Sequence, residues 1–398
     1  MGLNDTPSSE RLHIGIFGRR NAGKSSIINA ITGQSLSIVS EIKGTTTDPV
    51  KKTMEMLPLG PVVVIDTPGI DDEGELGAKR IEKSYEILNK TDIAVLVVDG
   101  TEGLSAEDTE LINELNARHL PYVIALNKAD ITGEQTSFKN GVWVSAATGE
   151  GIEELKKQII MSAPLEENHA KLIGDLVDPG DFVVLVVPID KAAPKGRLIL
   201  PQQMVIRDLL DHDAIAVTVK ETDLKSTLDS LGVKPKMVVT DSQVFERVSK
   251  ETPDDIYMTS FSILMARYKG NLDSAIKAVN AIEHIQNGDK ILISEGCTHH
   301  RQCDDIGTDK IPKWLKNYIG DKDVTFEFSS GIGFPKDLTG YKAIIHCGGC
   351  MLNEKEMQYR ELCARRQGVP MTNYGIFIAY INGILKRSLE PFEEYNNL

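Results

Sequence analysis

The chain has 398 residues, a length typical of two or three domains. Its formal net charge of -14 argues against the basic surface that binds phosphate backbones, so nucleic acid is not an expected partner. The longest apolar runs are far shorter than the roughly 18 to 20 residues that span a bilayer, and the N-terminus lacks an apolar signal core. We therefore expect a cytoplasmic protein with no membrane segment.

The first predicted element is a strand, loop and helix near the N-terminus. The apolar run 12–17 is followed by a glycine-rich loop and by the helical stretch 26–31. In such loops the backbone N–H groups surround the phosphates, the lysine contacts the β and γ phosphates, and the next hydroxyl ligates Mg²⁺. The pattern predicts nucleotide contacts from Gly18, Arg19, Arg20, Asn21, Ala22, Gly23, Lys24, Ser25 and Ser26.

Two further elements are typical of the γ-phosphate side of such a site. The strand 62–65 ends in Asp66-Thr67-Pro68-Gly69, where Asp66 can hold Mg²⁺ and the Gly69 N–H can meet the γ phosphate. Gly44-Thr45-Thr46-Thr47-Asp48 lies in the loop before that strand and places Thr46 to sense the phosphate and the metal. We therefore expect Mg²⁺ to be held by Ser25, Thr46 and Asp66, and catalysis to involve Lys24, Thr46 and Gly69.

Two elements predict recognition of the base. The strand 122–126 precedes Asn127-Lys128-Ala129-Asp130, whose last carboxylate can accept hydrogen bonds from guanine N1–H and the N2 amine. Adenine lacks this pair of donors, so ATP would leave the carboxylate unpaired. Ser145-Ala146-Ala147 follows the strand 142–144 and offers N–H groups to the guanine oxygen. Any one element alone could be a simple turn, but the five in order predict a P-loop GTPase domain at 1–165.

These elements resemble the Era and tRNA-modification subgroup of the translation-factor class of GTPases, which shares Gly-Thr-Thr-x-Asp. The resemblance implies that Asn21 contributes to catalysis by helping to bind a K⁺ that replaces an arginine finger; the alternative is a residue selected for turn geometry. Ile70 stands where Ras-type GTPases have a water-orienting Gln, so we expect slow hydrolysis. The acidic residues 71–73 could orient water or form a solvated loop tip.

The middle of the chain alternates strands and helices. Strands are predicted at 182–188, 215–219 and 237–240, and helices at 202–210, 223–231 and 242–248. Repeated βα units indicate a parallel sheet. Asp190 lies in the first strand-to-helix loop, where ligand sites of open α/β sheets gather, although a polar loop explains it equally. We expect this region to be a spacer or a subunit interface.

The last third contains all five cysteines. The strand 290–294 is followed by Cys297 and His299, and the strand 341–345 by His346, Cys347 and Cys350. Loops that follow parallel strands lie at one sheet edge, so the two groups can converge. Three thiolates suit either zinc with a histidine or an iron–sulfur cluster with an exchangeable fourth position. The other two cysteines are less persuasive as ligands: Cys303 is near the site and could be a spare ligand, and Cys363 in the helical stretch 357–366 is expected to be a core thiol.

Cys-x-His, then His-Cys-x-x-Cys after 46 residues, downstream of this GTPase pattern, resembles the HydF family of [FeFe]-hydrogenase maturation GTPases over the whole chain. The resemblance implies three α/β domains: the GTPase domain 1–165, a small parallel-sheet dimerisation domain at 172–265 and a parallel-sheet cluster-binding domain at 270–398. It also implies a [4Fe–4S] cluster on Cys297, Cys347 and Cys350, with the fourth iron open or weakly held by His299 or His346.

The same resemblance implies the cofactors and partners. GTP and GDP, Mg²⁺ and K⁺ would serve the GTPase domain, and the protein would be a homodimer. As a scaffold it would accept a di-iron precursor made by two radical-SAM maturases and deliver it to the hydrogenase apoprotein. The alternative function is an RNA- or ribosome-associated GTPase with a C-terminal structural zinc site, which the acidic charge disfavours.

Overall fold

The computed structural model describes residues 7–33, 50–70, 84–132, 138, 140–164, 171–189, 198–297, 305–320, 322–331 and 333–395. It divides into two compact units, Met1–Glu167 and Asn168–Leu398. No helix of the described residues combines the length and the apolar character needed to cross a bilayer.

The first unit is built on a six-stranded sheet in the order β2-β3-β1-β4-β5-β6, in which only the β2–β3 pair is antiparallel. Every residue of β4 is buried, as expected for a parallel strand covered by helices on both faces. Residues 84–88 are also helical. The elements are β1 Leu12–Phe17, α1 Lys24–Thr32, β2 Lys51–Met56, β3 Gly60–Asp66, β4 Ile93–Asp99, α2 Ala106–Ala117, β5 Tyr122–Asn127, β6 Gly141–Trp143 and α3 Ile152–Ser162.

The second unit contains two four-stranded parallel sheets, ordered β10-β9-β7-β8 and β12-β11-β13-β14. The strands are β7 Phe182–Val186, β8 Ile215–Val219, β9 Met237–Thr240, β10 Tyr257–Ser260, β11 Lys290–Glu295, β12 Thr325–Ser330, β13 Ala343–His346 and β14 Met371–Asn373. The helices are α4 Leu200–Asp211, α5 Leu224–Ser230, α6 Phe245–Glu251, α7 Phe261–Tyr268, α8 Leu272–Val279, α9 Ile311–Ile319, α10 Glu354–Arg366, α11 Tyr374–Ile381 and α12 Leu385–Leu389.

The two sheets of the second unit share one apolar core. Val184 and Val239 of the first sheet belong to the same cluster of buried side chains as Ile293 and Ile345 of the second, with Leu264 of α7 among them. The expected α/β class with parallel sheets is therefore confirmed. The division of this unit into separate domains at 172–265 and 270–398 stays a prediction.

Most of the strands that the sequence did not predict are at sheet edges. β2 and β12 are edge strands in which few residues are buried, so they lack the apolar run that marks a buried strand. The predicted helix 242–248 is a 3₁₀ turn at Ser242–Val244 that continues as α6. The strand predicted at 341–345 begins only at Ala343, and Tyr341 lies in the preceding loop, where its hydroxyl donates to Glu327 at 2.6 Å.

Candidate functional site

The glycine-rich loop lies between β1 and α1, as the sequence predicts. Gly23 precedes the helix with φ 96°, and a Cβ there would lie 2.2 Å from Nδ2 of Asn127. Only glycine fits both the backbone conformation and this close approach. The Lys24 ammonium donates to the carbonyl oxygens of Gly18 (2.8 Å) and Arg19 (2.7 Å). The lysine side chain therefore folds back over the loop that must receive the phosphates.

The side chains of this loop have different surroundings. Arg19 donates to Glu102 at 2.9 Å, and its Nε lies 3.5 Å from the buried carboxylate of Asp108, so its side chain is held by the segment before α2 and by the first turn of that helix. Asn21 is exposed and has φ 61°, a left-handed conformation that asparagine tolerates better than most residues. This geometry supports the turn interpretation of Asn21, and its role with K⁺ stays a prediction.

Ser25 and Asp66 form an oxygen-rich pair suited to Mg²⁺. The Ser25 hydroxyl donates to Oδ2 of Asp66 at 2.8 Å, and the buried Oδ1 accepts no hydrogen bond from any described residue. Burial raises the pKa of Asp66, while the Ser25 hydroxyl and the Lys24 ammonium oppose that rise. An unpaired buried carboxylate oxygen beside a hydroxyl fits the hard oxygen ligands that Mg²⁺ requires. Thr46, the third predicted ligand, lies outside the described residues.

The segment after β3 is attached to neighbouring backbone. The Thr67 hydroxyl donates to the carbonyl oxygen of Ile16 at 2.6 Å, and the Ile70 N–H to that of Gly18 at 3.4 Å. The Ile70 side chain packs against the apolar core, so it offers no polar group to an attacking water. Gly69 is half-buried between these two contacts. Residues 71–73 lie outside the described residues.

Asn127, the first residue of the predicted guanine-recognition segment 127–130, forms hydrogen bonds with two other loops. Its Nδ2 donates to the carbonyl oxygen of Ala22 at 3.0 Å, and its Oδ1 accepts from the N–H of Ala146 at 3.1 Å, so this amide joins the phosphate loop to the loop after β6. Ser145 is fully buried and its hydroxyl oxygen accepts from the Thr148 N–H at 3.2 Å. Asp130 is exposed and forms no hydrogen bond with any described residue, which leaves its carboxylate available to guanine.

The loops of Cys297 and Cys347 meet at the carboxyl ends of β11 and β13, in the second sheet of the second unit. β11 and β13 are neighbouring parallel strands with Ser294 opposite His346, and the Cys347 N–H donates to the carbonyl oxygen of Ser294 at 2.9 Å. The N–H of Gly296 donates to Sγ of Cys347 at 3.0 Å. Cys297, the next residue, therefore lies in a loop that is in direct contact with the other cysteine pair.

Two backbone N–H groups are directed at the buried sulfur of Cys347. It accepts a second backbone hydrogen bond from Gly349 at 3.4 Å, and a Cβ at Gly296 would lie only 2.8 Å from Cγ of Leu352. Burial raises the pKa of Cys347, which these two N–H groups oppose, and burial together with Cys347 raises the pKa of Cys350 to about 11. Backbone N–H groups directed at sulfur are characteristic of thiolates that ligate iron.

No group of three or more His, Cys, Asp or Glu side chains among the described residues is arranged to hold a single metal ion. In an iron–sulfur cluster each thiolate binds a different iron, so the sulfurs of Cys297, Cys347 and Cys350 need not converge on one point. Three thiols, with two backbone N–H groups directed at the Cys347 sulfur, are a donor set that fits such a cluster.

His346 has both ring nitrogens engaged. Nδ1 donates to the carbonyl oxygen of Cys347 at 2.7 Å, and Nε2 accepts from Arg360 at 3.0 Å. Burial and the Arg360 charge lower the pKa of His346 to about 3, so the ring is neutral. In this arrangement neither nitrogen is open to iron, which argues against His346 as the fourth ligand. The other candidates, His299 and Cys303, lie outside the described residues, as does Asp190 of the middle region.

A buried arginine behind this site was not predicted. Arg360 is fully buried; it donates to Glu356 at 2.9 Å and to the carbonyl oxygen of Gly331, and its guanidinium lies 5.0 Å from the ring centroid of Phe334. The sequence shows only a Glu and an Arg four residues apart on a helix, the spacing of an ordinary surface pair. Cys363, on the same helix, packs partly against a small apolar cluster, as expected of a structural thiol.

Three family models match the chain. Residues 13–128 match the 50S ribosome-binding GTPase model, residues 172–270 the Hydrogen maturase F dimerization domain and residues 273–391 the Hydrogen maturase F tetramerization domain. The chain belongs to the hydrogen maturase F family. Its first unit is a P-loop GTPase domain, and the two hydrogen maturase F domains, which both take their names from oligomerisation, lie in its second unit.

Two curated relatives each match about two fifths of this hydrogen maturase F chain. The tRNA modification GTPase MnmE of Chromobacterium violaceum is 36% identical over 157 residues, which are 38% of this chain and 34% of the relative. GTPase Der of Kosmotoga olearia is 33% identical over 174 residues, which are 39% of each chain. The crystal structure of Era with MgGDPNP and a 16S ribosomal RNA fragment covers 52% of this chain and 92% of that one, with 19% identity and a TM-score of 0.34. The chain thus spans little more than a third of the length of its curated relatives.

Proposed function

We propose that this chain is a GTP-hydrolysing scaffold that binds a [4Fe–4S] cluster and assembles and delivers the di-iron precursor to [FeFe]-hydrogenase. The observation that carries the proposal is the pair of backbone N–H groups, from Gly296 and Gly349, that donate to the Cys347 sulfur in a chain with hydrogen maturase F domains. The first N–H comes from the loop of Cys297 and the second from that of Cys350. One sulfur therefore links the two loops that carry the proposed ligands.

In this proposal Cys297, Cys347 and Cys350 hold the cluster and no fourth cysteine is needed. A cluster used only for electron transfer gains from four firm thiolates, whereas a carrier needs one iron at which cargo can attach and leave. The di-iron precursor is that cargo. Two radical-SAM maturases would supply it, the hydrogenase apoprotein would receive it, and a cytoplasmic homodimer would be the working form.

The GTPase domain would provide the switch. The loop that ends at Lys24 would bind the phosphates, Ser25 and Asp66 would hold Mg²⁺, and Asp130 would select guanine. Mg²⁺ would balance the charge of the β and γ phosphates. Asn21 would help K⁺ to approach the same phosphates. Hydrolysis would be slow because the apolar Ile70 cannot orient the attacking water.

A maturation assay tests the proposal. Purified apo-hydrogenase is incubated with the scaffold, loaded by its maturation partners, and hydrogen evolution is measured beside the GTPase rate of the same preparation. We expect Cys347→Ala to abolish activation and to leave GTP hydrolysis unchanged, because the nucleotide contacts lie in the other unit. Cys363→Ala is the matched control and should activate as the wild type does. Full activation by Cys347→Ala would refute the carrier role.

The match of residues 13–128 to a 50S ribosome-binding GTPase favours a second candidate, a ribosome-associated GTPase with a structural zinc site in the last third. The net charge of -14 opposes it. Sedimentation of the protein with 50S subunits in the presence of GTP, together with one zinc per chain, would support this candidate against the first.

A further inference from the structure

The Asp99 carboxylate lies next to the predicted guanine-recognition segment 127–130, and none of the contacts predicted for that segment includes it. Asp99 is the last residue of β4, and the register of the parallel β4–β5 pair places it opposite Asn127. The following N–H, from Gly100, donates to the carbonyl oxygen of Asn127 at 2.8 Å. Asp99 is therefore fixed on the strand beside the one that leads into Asn127-Lys128-Ala129-Asp130.

The Asp99 carboxylate is directed at Lys128 and held there. Oδ2 accepts from the Lys128 ammonium, and Oδ1 accepts from the N–H and the hydroxyl of Thr101 at 3.0 and 2.6 Å. The carboxylate side chain is 11% exposed. Burial favours the neutral acid, but the hydrogen bonds from Lys128 and Thr101 outweigh it and lower the pKa of Asp99. The ion pair is thus formed at neutral pH.

Lys128 lies in the turn that carries Asp130. Its φ is 67°, a left-handed conformation that is unfavourable for a residue with a long side chain. Backbone hydrogen bonds fix the chain at this turn. The Ala129 N–H donates to the carbonyl oxygen of Val144 at 3.0 Å, and the Lys128 carbonyl oxygen accepts from the N–H groups of Ile131 and Thr132, each at 3.1 Å. The ion pair with Asp99 therefore fixes the side chain of Lys128, the residue of this turn whose backbone conformation is unfavourable.

We infer that Asp99 is a positioning residue for guanine recognition: by holding Lys128 in its left-handed conformation, it places the exposed Asp130 carboxylate for its two contacts with the base. Asp99 itself would touch no nucleotide. The inference concerns the GTPase domain alone, so it stands or falls independently of the cluster.

The test compares GDP with IDP, which keeps the N1–H of the base but lacks the N2 amine. In the wild type, loss of one hydrogen bond to the carboxylate should weaken IDP binding about tenfold relative to GDP. Asp99→Asn should weaken GDP binding about tenfold and reduce the IDP-to-GDP ratio of Kd values at least about threefold, because Asp130 no longer meets both donors together. kcat at saturating GTP should stay within about twofold while KM rises, the signature of lost uniform binding.

Asp92→Asn is the matched control. Asp92 immediately precedes the same strand, at the end opposite Asp99, and its carboxylate accepts from the N–H of His13 at 2.7 Å. It should leave the IDP-to-GDP ratio unchanged even if it lowers the melting temperature. Asp99→Glu, which retains the carboxylate, should recover part of the ratio. A wild-type ratio in Asp99→Asn, or an equal change in Asp92→Asn, would overturn the inference.

Discussion

The Arg360→Leu substitution should destabilise the second unit more than any surface change. It removes a fully buried guanidinium and leaves three groups without their donor: the Glu356 carboxylate, Nε2 of His346 and the carbonyl oxygen of Gly331. Breaking one partner of a buried ion pair typically costs about 3 to 5 kcal/mol, because an uncompensated charge stays in the interior. Against a typical total stability of roughly 5 to 15 kcal/mol, that loss is a large fraction.

The assay is urea unfolding followed by the fluorescence of Trp314, which packs against the core of the second unit, in a Trp143→Phe background that removes the tryptophan of the first unit. Arg247→Leu is the control, since it breaks an exposed pair with Glu251 on α6, and such pairs are worth less than about 1 kcal/mol. The double variant Glu356→Leu, Arg360→Leu should recover part of the loss, because no charge is then left buried. If the free energy of unfolding of Arg360→Leu were within about 1 kcal/mol of the wild-type value, the buried network would not stabilise the second unit as we infer.

Three further predictions concern the two sites. Gly23→Ala should abolish GTP binding in a calorimetric titration without changing the far-UV spectrum, since its Cβ would meet the Asn127 amide at 2.2 Å; retained affinity would contradict the geometry. We expect the wild type to hydrolyse GTP faster in K⁺ than in Na⁺, and Asn21→Gly, which keeps the left-handed turn but removes the amide, should lose this advantage; an undiminished advantage in the variant would refute the K⁺ role of Asn21. In metal-free protein the pKa of Cys350, about 11, lies above the ordinary 9.0. The contribution of the protonated thiol to folding stability is therefore retained below pH 9 and lost as the pH rises through 11. Alkylation of Cys350 by iodoacetamide should accelerate over that range, and a rate that is level above pH 9 would argue against burial as the cause.

Much of the nucleotide site could be predicted because its contacts are local in sequence. Gly23, Lys24 and Ser25 are consecutive residues where the loop meets α1, and the strand before each motif is an apolar run that indicates its position. The role of Asp99 could not be predicted in this way, since it depends on β4 and β5 being neighbours with Asp99 opposite Asn127. A strand order is a property of the folded sheet, and no single segment contains it.

The cysteine site shows the same limit. The alternation of apolar strands with Cys-rich loops was enough to predict that Cys297 and Cys347 follow strands at one sheet edge. The hydrogen bonds of His346 to Cys347 and Arg360, which leave no nitrogen for iron, depend on α10 packing behind the sheet. Likewise, Leu264 of α7 and Ile345 of β13 belong to one buried cluster although they are far apart in the chain, so a core shared by the two sheets could not be predicted from the sequence.

The central claim is that three thiolates hold an iron–sulfur cluster, and the most direct measurement is iron, sulfide and zinc analysis of anaerobically purified protein with its visible and electron paramagnetic resonance spectra. We predict about four irons and four sulfides per chain, with little zinc, in the wild type and in Cys363→Ala. The three variants Cys297→Ala, Cys347→Ala and Cys350→Ala should each lose most of the iron while their GTPase rates stay at the wild-type value. Zinc in place of iron in the wild type, or full iron content in any of those three variants, would contradict the account.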